Sequence, residues 1–263
     1  MFRDELDLLE CRLRTLDGKV HRHVIAESPV TFQGDPKPLH FMENLERFSP
    51  WLDRITYVSV DPDDLPAGKD PPCLSPGPVL NMCPKAWQRE KIQRNCLRRG
   101  MAGIEPGDIV LFGDADEIPR LDDWRPSRRP RVFAQRNHIF AVDWQHPDVW
   151  HGTVAAPWRK VGTFQELRDQ REQLPEVGNG GWHFSWLGGP EEIAAKAKTS
   201  SHGELAWRSA EHAARMYSEG WCPWDEDTRL EAVTVDDSWP EWIARRKCPE
   251  SWFRPGGSEN GSG

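Results

Sequence analysis

The stretch GDADEIP at residues 113–119 holds the densest chemistry in the chain. Asp114 and Asp116 are one residue apart, so on an extended backbone their carboxylates point to the same side. Two such oxygen ligands can share one hard divalent cation, whose remaining positions take diphosphate oxygens. A nucleotide sugar needs that arrangement, because its leaving group is a nucleoside diphosphate whose developing charge the metal stabilises. A bare D-x-D is common in acidic chains. Here it follows Ile109, Val110, Leu111 and Phe112, a continuous apolar run of the kind a buried central strand shows, and the run breaks abruptly into acids. A capped, solvated turn is the plainer alternative. Glu117 adjoins the pair and is read first as a group that backs up a ligand, then as a further ligand or the first acid of a following turn.

Other candidates are less specific. Trp87, Glu90 and Arg94 stand at i, i+3 and i+7 and share one helix face. Glu90 and Arg94 make an ordinary helix salt bridge or, equally, Arg94 faces a diphosphate while Glu90 orients it. His183 lies in GWHFSW, where a packed core histidine is the commoner role. The preceding Gly180 and Gly181 would nevertheless let the backbone approach a ligand closely. His202 and Glu204 form a second pair at an expected helix start, where a cap is equally consistent.

The elements that must position these groups follow from periodicity. FRDELDLLECRLRTLDG puts Leu6, Leu9, Leu13 and Leu16 on one side of a helix that stops at Gly18. VHRHVIAES is a strand finishing at Glu27, and RITYVSVD a second strand ending in Asp61. Residues 62–84, rich in Pro, Asp and Gly, read as a long surface loop. A helix over Lys85–Arg99 closes at Gly100 and leads to the apolar strand. This alternation predicts a parallel or mixed sheet flanked by helices, with ligands beyond the carboxyl ends of its strands. Glu27, Asp61, Asp114 and Asp116 all fall at such ends. Beyond them, RVFAQRNHIFAVDW and GTVAAPW read as strands, and NGGWHFSWLGG as an aromatic strand or loop. Helices follow from Pro190 to Lys198 and from about Glu204 to Glu219. The last residues, GGSENGSG, are low-complexity and expected to be disordered.

Composition narrows the class. The 263 residues suffice for one large α/β domain or two small ones. A net charge of −8 argues against general attraction to nucleic acid or anionic lipid, although Arg125, Arg128, Arg129 and Arg131 make a local basic run. The 14 Trp against 2 Tyr include core filler, and Trp is also the residue that stacks on sugar rings and bases. Six cysteines without a C-x-x-C pair mark neither a structural zinc site nor a disulfide framework. No signal peptide precedes the first charged residues, and no apolar run approaches the roughly 20 residues a membrane span needs. The expectation is a soluble, cytoplasmic protein.

An ordered set of stretches across residues 5 to about 205 resembles glycosyltransferase family 17, the family of the bisecting N-acetylglucosaminyltransferase of N-glycans, with bacterial and viral relatives. These stretches are ELDLLECRL, VIAESPVTFQGDPKPLHF, ITYVSV, WQREKIQR, GDIVLFGDADEIP, the W-H-G-T at 150–153, GGWHFSWLGG and the later HGE. GDADEIP and GGWHFSW are the most diagnostic. Two departures stand out: members usually carry a short strand ahead of the ELDLLE-like segment, where this sequence has almost nothing, and the 62–84 loop is its own.

The resemblance implies an α/β domain of the GT-A type, a Rossmann-like mixed sheet flanked by helices. It would span residues 1–220 as a single domain, with a nucleotide-sugar half over 1–120 and an acceptor half over 121–220. A C-terminal extension (221–255) and the tail (256–263) complete the chain. The resemblance also implies a UDP-sugar donor carrying GlcNAc or a hexose, transfer with inversion to a hydroxyl acceptor, and Mn²⁺ or Mg²⁺. By position, Asp114 and Asp116 would hold metal and diphosphate, with His183 as a further metal ligand. Glu27 and Asp61 become candidate nucleoside contacts, beside Trp87 and Arg94. The catalytic candidates are Asp116, Glu117 and Asp143, and Glu166 and Asp169 are further carboxylates for the general base that inversion requires.

A saccharide is the favoured acceptor. A hydroxymethylated cytosine in phage-type DNA is the alternative, since the arginine run could grip phosphates and Trp could stack on an exposed base. A nucleotidyl-transfer enzyme would need further acids for a second metal. A non-catalytic sugar-binding module would use the tryptophans but has no need of D-x-D after a buried strand.

Overall fold

The computed structural model describes residues 4–69, 84–201, 209–224 and 227–255. Helix α1 (Leu6–Leu16) buries Leu9, Leu13 and Leu16 of the expected face, with Leu6 only partly buried, and also buries Leu8 and Cys11, which pack on a second cluster. Strands β1 (His23–Glu27) and β2 (Ile55–Ser59) pair in parallel, His23 opposite Ile55 and Glu27 opposite Ser59. The short helix α2 (His40–Glu43) and a 3-10 segment, Leu45–Arg54, connect them. Phe41, Phe48 and Trp51 from this connection pack with Leu9 and Leu13 of α1. Helix α3 (Pro84–Cys96) runs into a 3-10 turn, Leu97–Gly100, that lies against both strands. That approach demands glycine at 100, because a Cβ there would sit 2.5 Å from Val24 Cγ1 and 3.0 Å from Val58 Cγ2.

The remaining strands are β3 (Ile109–Phe112), β4 (Glu117–Pro119), β5 (Arg131–Ile139), β6 (Trp144–Gln145), β7 (Trp150–Pro157), β8 (Glu176–Val177), β9 (Gly181–Ser185) and β10 (Glu231–Ala232). They form one curled sheet ordered β10-β6-β5-β7-β3, with β8 and β9 alongside β5 and β4 on β9. The helices interspersed with them are α4 (Phe164–Gln170), α5 (Pro190–Thr199), α6 (Ala210–Glu219) and α7 (Glu241–Ala244). The whole is a mixed α/β single domain compatible with a GT-A arrangement. The segment after Gly220 is part of it: Trp239, Ile243 and Trp252 share a buried cluster with Leu8, Ile118, Trp182 and Phe184.

The structure refines the expected sheet. β3 pairs antiparallel with β7, from Ile109 opposite Pro157 to Phe112 opposite Val154. The parallel pairs are β1 with β2, and β5 with β8 and with β9. Among the described residues no ladder joins β1 to β3. A cleft of about 860 Å³ lies between them instead, walled by residues 23–26 and 109–112 and bordered by Leu9, Arg12 and Leu16 of α1. The alternation of helices and strands specifies layers, but an apolar run does not encode which strand it will pair with.

Local differences are small. Helix α6 starts at Ala210 among the described residues, and His202 and Glu204 lie outside them. Of the expected 62–84 loop, residues 70–83 lie outside as well, as does the tail 256–263. Cys11, Cys96, Cys222 and Cys248 are buried free thiols, and Cys73 and Cys83 are not among the described residues. No helix of the described residues is long and apolar enough to cross a membrane.

Two predictions follow from this packing. Gly181 has φ +111°, and a Cβ there would meet Ile118 O at 2.2 Å, so Gly181→Ala should cost several kcal/mol in a thermal melt and loosen the β4–β9 pair. His138 is fully buried, and burial, with Arg136 adding to it, pushes its imidazole down to about 3. Because the folded value lies below the unfolded one of about 6.5, its contribution is complete above pH 6.5 and is lost as pH falls toward 3. Stability should therefore drop on acidification by up to about 1.4 kcal/mol per pH unit from this group. His138→Phe should flatten that slope in melts between pH 7 and pH 4.

Candidate active site

Strand β3 ends at Phe112, and Gly113 lets the chain turn where no side chain fits: a Cβ there would lie 2.6 Å from Glu117 Oε2 and 2.7 Å from Thr153 Oγ1. The turn closes with the Glu117 N–H donating to Asp114 O at 3.1 Å. The chain then enters β4, which pairs with β9 so that Glu117 stands opposite His183. On its other edge β9 sets His183 opposite Asn137 of β5. One row across three strands thus lines up Asn137, His183 and Glu117 beside the Asp114–Asp116 turn.

Glu117 is fully buried and engaged at both oxygens. Oε1 accepts from Arg168 Nη1 at 2.7 Å and Trp150 Nε1 at 3.0 Å, and Oε2 accepts from the Asp114 N–H at 3.2 Å. Asp114 is held by two guanidiniums, Arg168 Nη2 at 3.0 Å and Arg94 Nη2 at 3.3 Å from Oδ2. Burial alone would raise its pKa, but Arg168 and Arg94 outweigh burial and hold the carboxyl well below its usual range. Arg94 also pairs with Glu90 and donates to Gln165 Oε1 at 3.0 Å, while Arg12 of α1 donates to Asp114 O at 3.2 Å.

Asp116 differs from its neighbour. Burial pushes its carboxyl up to about 7, with Asp114 and Glu117 adding to the effect and Lys196 opposing it. Its Oδ2 stands 3.8 Å from His183 Nε2 and 3.9 Å from Lys196 Nζ. His183 Nδ1 pairs with Asn137 Oδ1 at 2.9 Å. Burial, then Arg168 and Lys196, hold the imidazole well below its usual pKa, so it is neutral near pH 7. With the proton on Nδ1 donated to Asn137, Nε2 keeps a lone pair on the side of Asp116.

The structure therefore brings together Asp114, Asp116, Glu117, His183 and Arg94 from the sequence candidates, and gives the two aspartates different surroundings. Other candidates stand elsewhere. Glu27 is fully buried at the end of β1, where it accepts from the Phe41 N–H, Tyr57 OH and Lys37 Nζ and so ties the α2 connection to the sheet. Asp61 is exposed and caps the 3-10 turn Pro62–Asp64 through Asp63 N at 3.0 Å. Asp143 accepts from Arg254 N at 2.9 Å and Nε at 3.1 Å and so anchors the C-terminal segment. Glu166 completes a capping box with Thr163, and exposed Asp169 accepts from Gln165 Nε2 at 2.8 Å. Trp87 is half-buried on α3, two turns before Arg94.

Sequence reasoning did not single out Arg12, Trp150, Arg168 or Lys196. Arg168 had a faint signal: it lies in RDQREQ, a helical stretch that supplies Arg168 and Arg171 three residues apart, hence on one face.

A half-buried acidic turn at a strand end is thus walled by arginines and backed by a histidine. The family model of glycosyltransferase family 17 matches residues 1–216, and the chain belongs to that family. It is similar to the β-1,4-mannosyl-glycoprotein 4-β-N-acetylglucosaminyltransferases of human, rat and mouse, at 24% identity over 242 residues in each case. The match covers 76% of this chain and 42% of each relative, so the chain spans less than half their length. No solved structure matches it.

Arg168→Ala would leave half-buried Asp114 and fully buried Glu117 short of a shared cation. A loss of about 3–5 kcal/mol in denaturant unfolding is expected. Arg168→Lys should recover only part of it, because an ammonium cannot reach both acids as the guanidinium fork does.

Proposed function

We propose that this chain transfers a sugar, GlcNAc or a hexose, from a UDP-sugar to a saccharide hydroxyl with inversion, assisted by Mn²⁺ or Mg²⁺. The observation that supports it most is the unequal pair at the end of β3. Asp114 is committed to Arg94 and Arg168, whereas Asp116 faces the neutral Nε2 of His183. A hard carboxylate oxygen and an imidazole nitrogen form a two-ligand set. Ions of this kind are commonly held by one or two protein ligands plus substrate phosphates, not by a full protein cage. Among the described residues no group of three or more His, Cys, Asp or Glu is placed to hold a metal. Asp116 and His183 would thus hold the cation, and the cation would stabilise charge on the departing diphosphate.

The chain's own part is electrostatic. Asp114 fixes the Arg94 and Arg168 guanidiniums, and such groups bind phosphate oxygens through charge-assisted, often bidentate hydrogen bonds. Lys196, on α5, adds a point charge beside Asp116. The names of the mammalian relatives, which state transfer of N-acetylglucosamine to a mannosyl glycoprotein, support a GlcNAc donor and a saccharide acceptor here. The DNA alternative rested on Arg125, Arg128, Arg129 and Arg131, all of them exposed, and neither the family nor its relatives' names point to DNA.

Hydrolysis of UDP-, GDP- and TDP-sugars in Mn²⁺ needs no acceptor and should show turnover with UDP-sugars that EDTA abolishes. Asp116→Asn should lower it by roughly a hundredfold or more while the melting curve stays close to that of the parent. Near-normal activity in EDTA would falsify metal assistance. His183→Ala should raise the Mn²⁺ concentration needed for half-maximal activity far more than it lowers thermal stability.

A further inference from the structure

We infer that Trp150 is a positioning residue for His183: its indole sets the plane of the imidazole and so aims Nε2 at Asp116. This rests on reading Asp116 and His183 as the ligand pair. The two rings stack with centroids 4.2 Å apart and planes 9° from parallel. Asn137 fixes only one point of the imidazole, Nδ1, at 2.9 Å. The ring is also tethered through Cγ, yet one hydrogen bond at Nδ1 tolerates some rotation about the Cβ–Cγ bond. A stacked indole narrows that rotation and with it the position of Nε2.

The indole is itself fixed from several sides. Its Nε1–H donates to Glu117 Oε1, and the Arg171 and Arg168 guanidinium carbons stand 4.3 Å and 5.6 Å from the ring centroid. Trp150 occupies the outer end of β7, half-buried, while the core of that strand is carried by residues 152–157. Its ring lies against His183 and its N–H reaches Glu117, so the part of its influence that runs through His183 is what a double-mutant cycle isolates. Groups that orient a metal-binding histidine typically change metal affinity by about 10–100-fold when removed.

The test is a double-mutant cycle read by isothermal titration of Mn²⁺ into the full chain saturated with UDP, with melting curves alongside. Trp150→Leu should weaken Mn²⁺ binding by about tenfold. Trp150→Phe, which keeps an aromatic face and drops only the N–H, should retain most of the affinity. In a His183→Ala background, Trp150→Leu should have no further effect on Mn²⁺. If Trp150→Leu weakens binding equally in both backgrounds, or leaves it unchanged while His183→Ala weakens it, the positioning role is overturned and the ligand pair stands. If His183→Ala itself leaves Mn²⁺ affinity unchanged, the ligand pair fails and the positioning role with it.

Discussion

Arg168 joins Asp114 to Glu117, and the geometry of the site depends on that bridge. Two carboxylates three residues apart, one of them fully buried, repel each other strongly where water cannot screen them. One guanidinium reaches both through separate nitrogens, at 3.0 and 2.7 Å, and turns a repulsive pair into a fixed one. The arginine is delivered by α4, whose start is secured by the Thr163–Glu166 capping box and by Gln165 N donating to Asn95 of α3. The end of β3, helix α3 and helix α4 are thereby tied at a single ionic point. Such a network is weak as a source of net stability, since desolvation cancels much of the attraction, but it is strict about geometry.

Backbone pairing does the rest. The β5–β9–β4 row places Asn137, His183 and Glu117 side by side without any side chain having to reach far. Two glycines permit it: Gly113 leaves room for Glu117 and Thr153, and Gly181 brings β9 up against Ile118 and Pro119. The same acidic turn thus holds two carboxylates of opposite character. Asp114 is kept firmly ionised by arginines, and Asp116 sits where burial outweighs the nearby Lys196 ammonium and makes its charge costly.

What could be read in the sequence was what local pattern determines. The apolar run 109–112 broke into acids where a strand does end, α1 buried three of the four leucines its spacing selected, and Arg94, paired with Glu90, did turn toward the acidic motif. What escaped depended on long-range pairing. Glu27 and Asp61 fall at strand ends as expected, yet one stitches a loop to the sheet and the other caps a turn, because a strand-end position does not say whether a ligand or the chain's own backbone takes the carboxylate. Asp143 is likewise held by Arg254, more than a hundred residues later. Trp150 opened one of the resembling stretches without a role attached to it, and Arg168 gave almost no signal, since each matters through partners 33 and 51 residues distant in sequence.

The cleft between β1 and β3 has a consequence for how this domain meets other chains. A strand edge with unpaired amides and carbonyls is a template on which further strands align, and exposed edges invite sheet-to-sheet association. Among the described residues β1 is paired only through β2, and β3 only through β7. Residues of both strands line the same half-open cleft, with residues of α1 at its border. An edge that borders a cleft meets another molecule's sheet less readily than an edge on open surface.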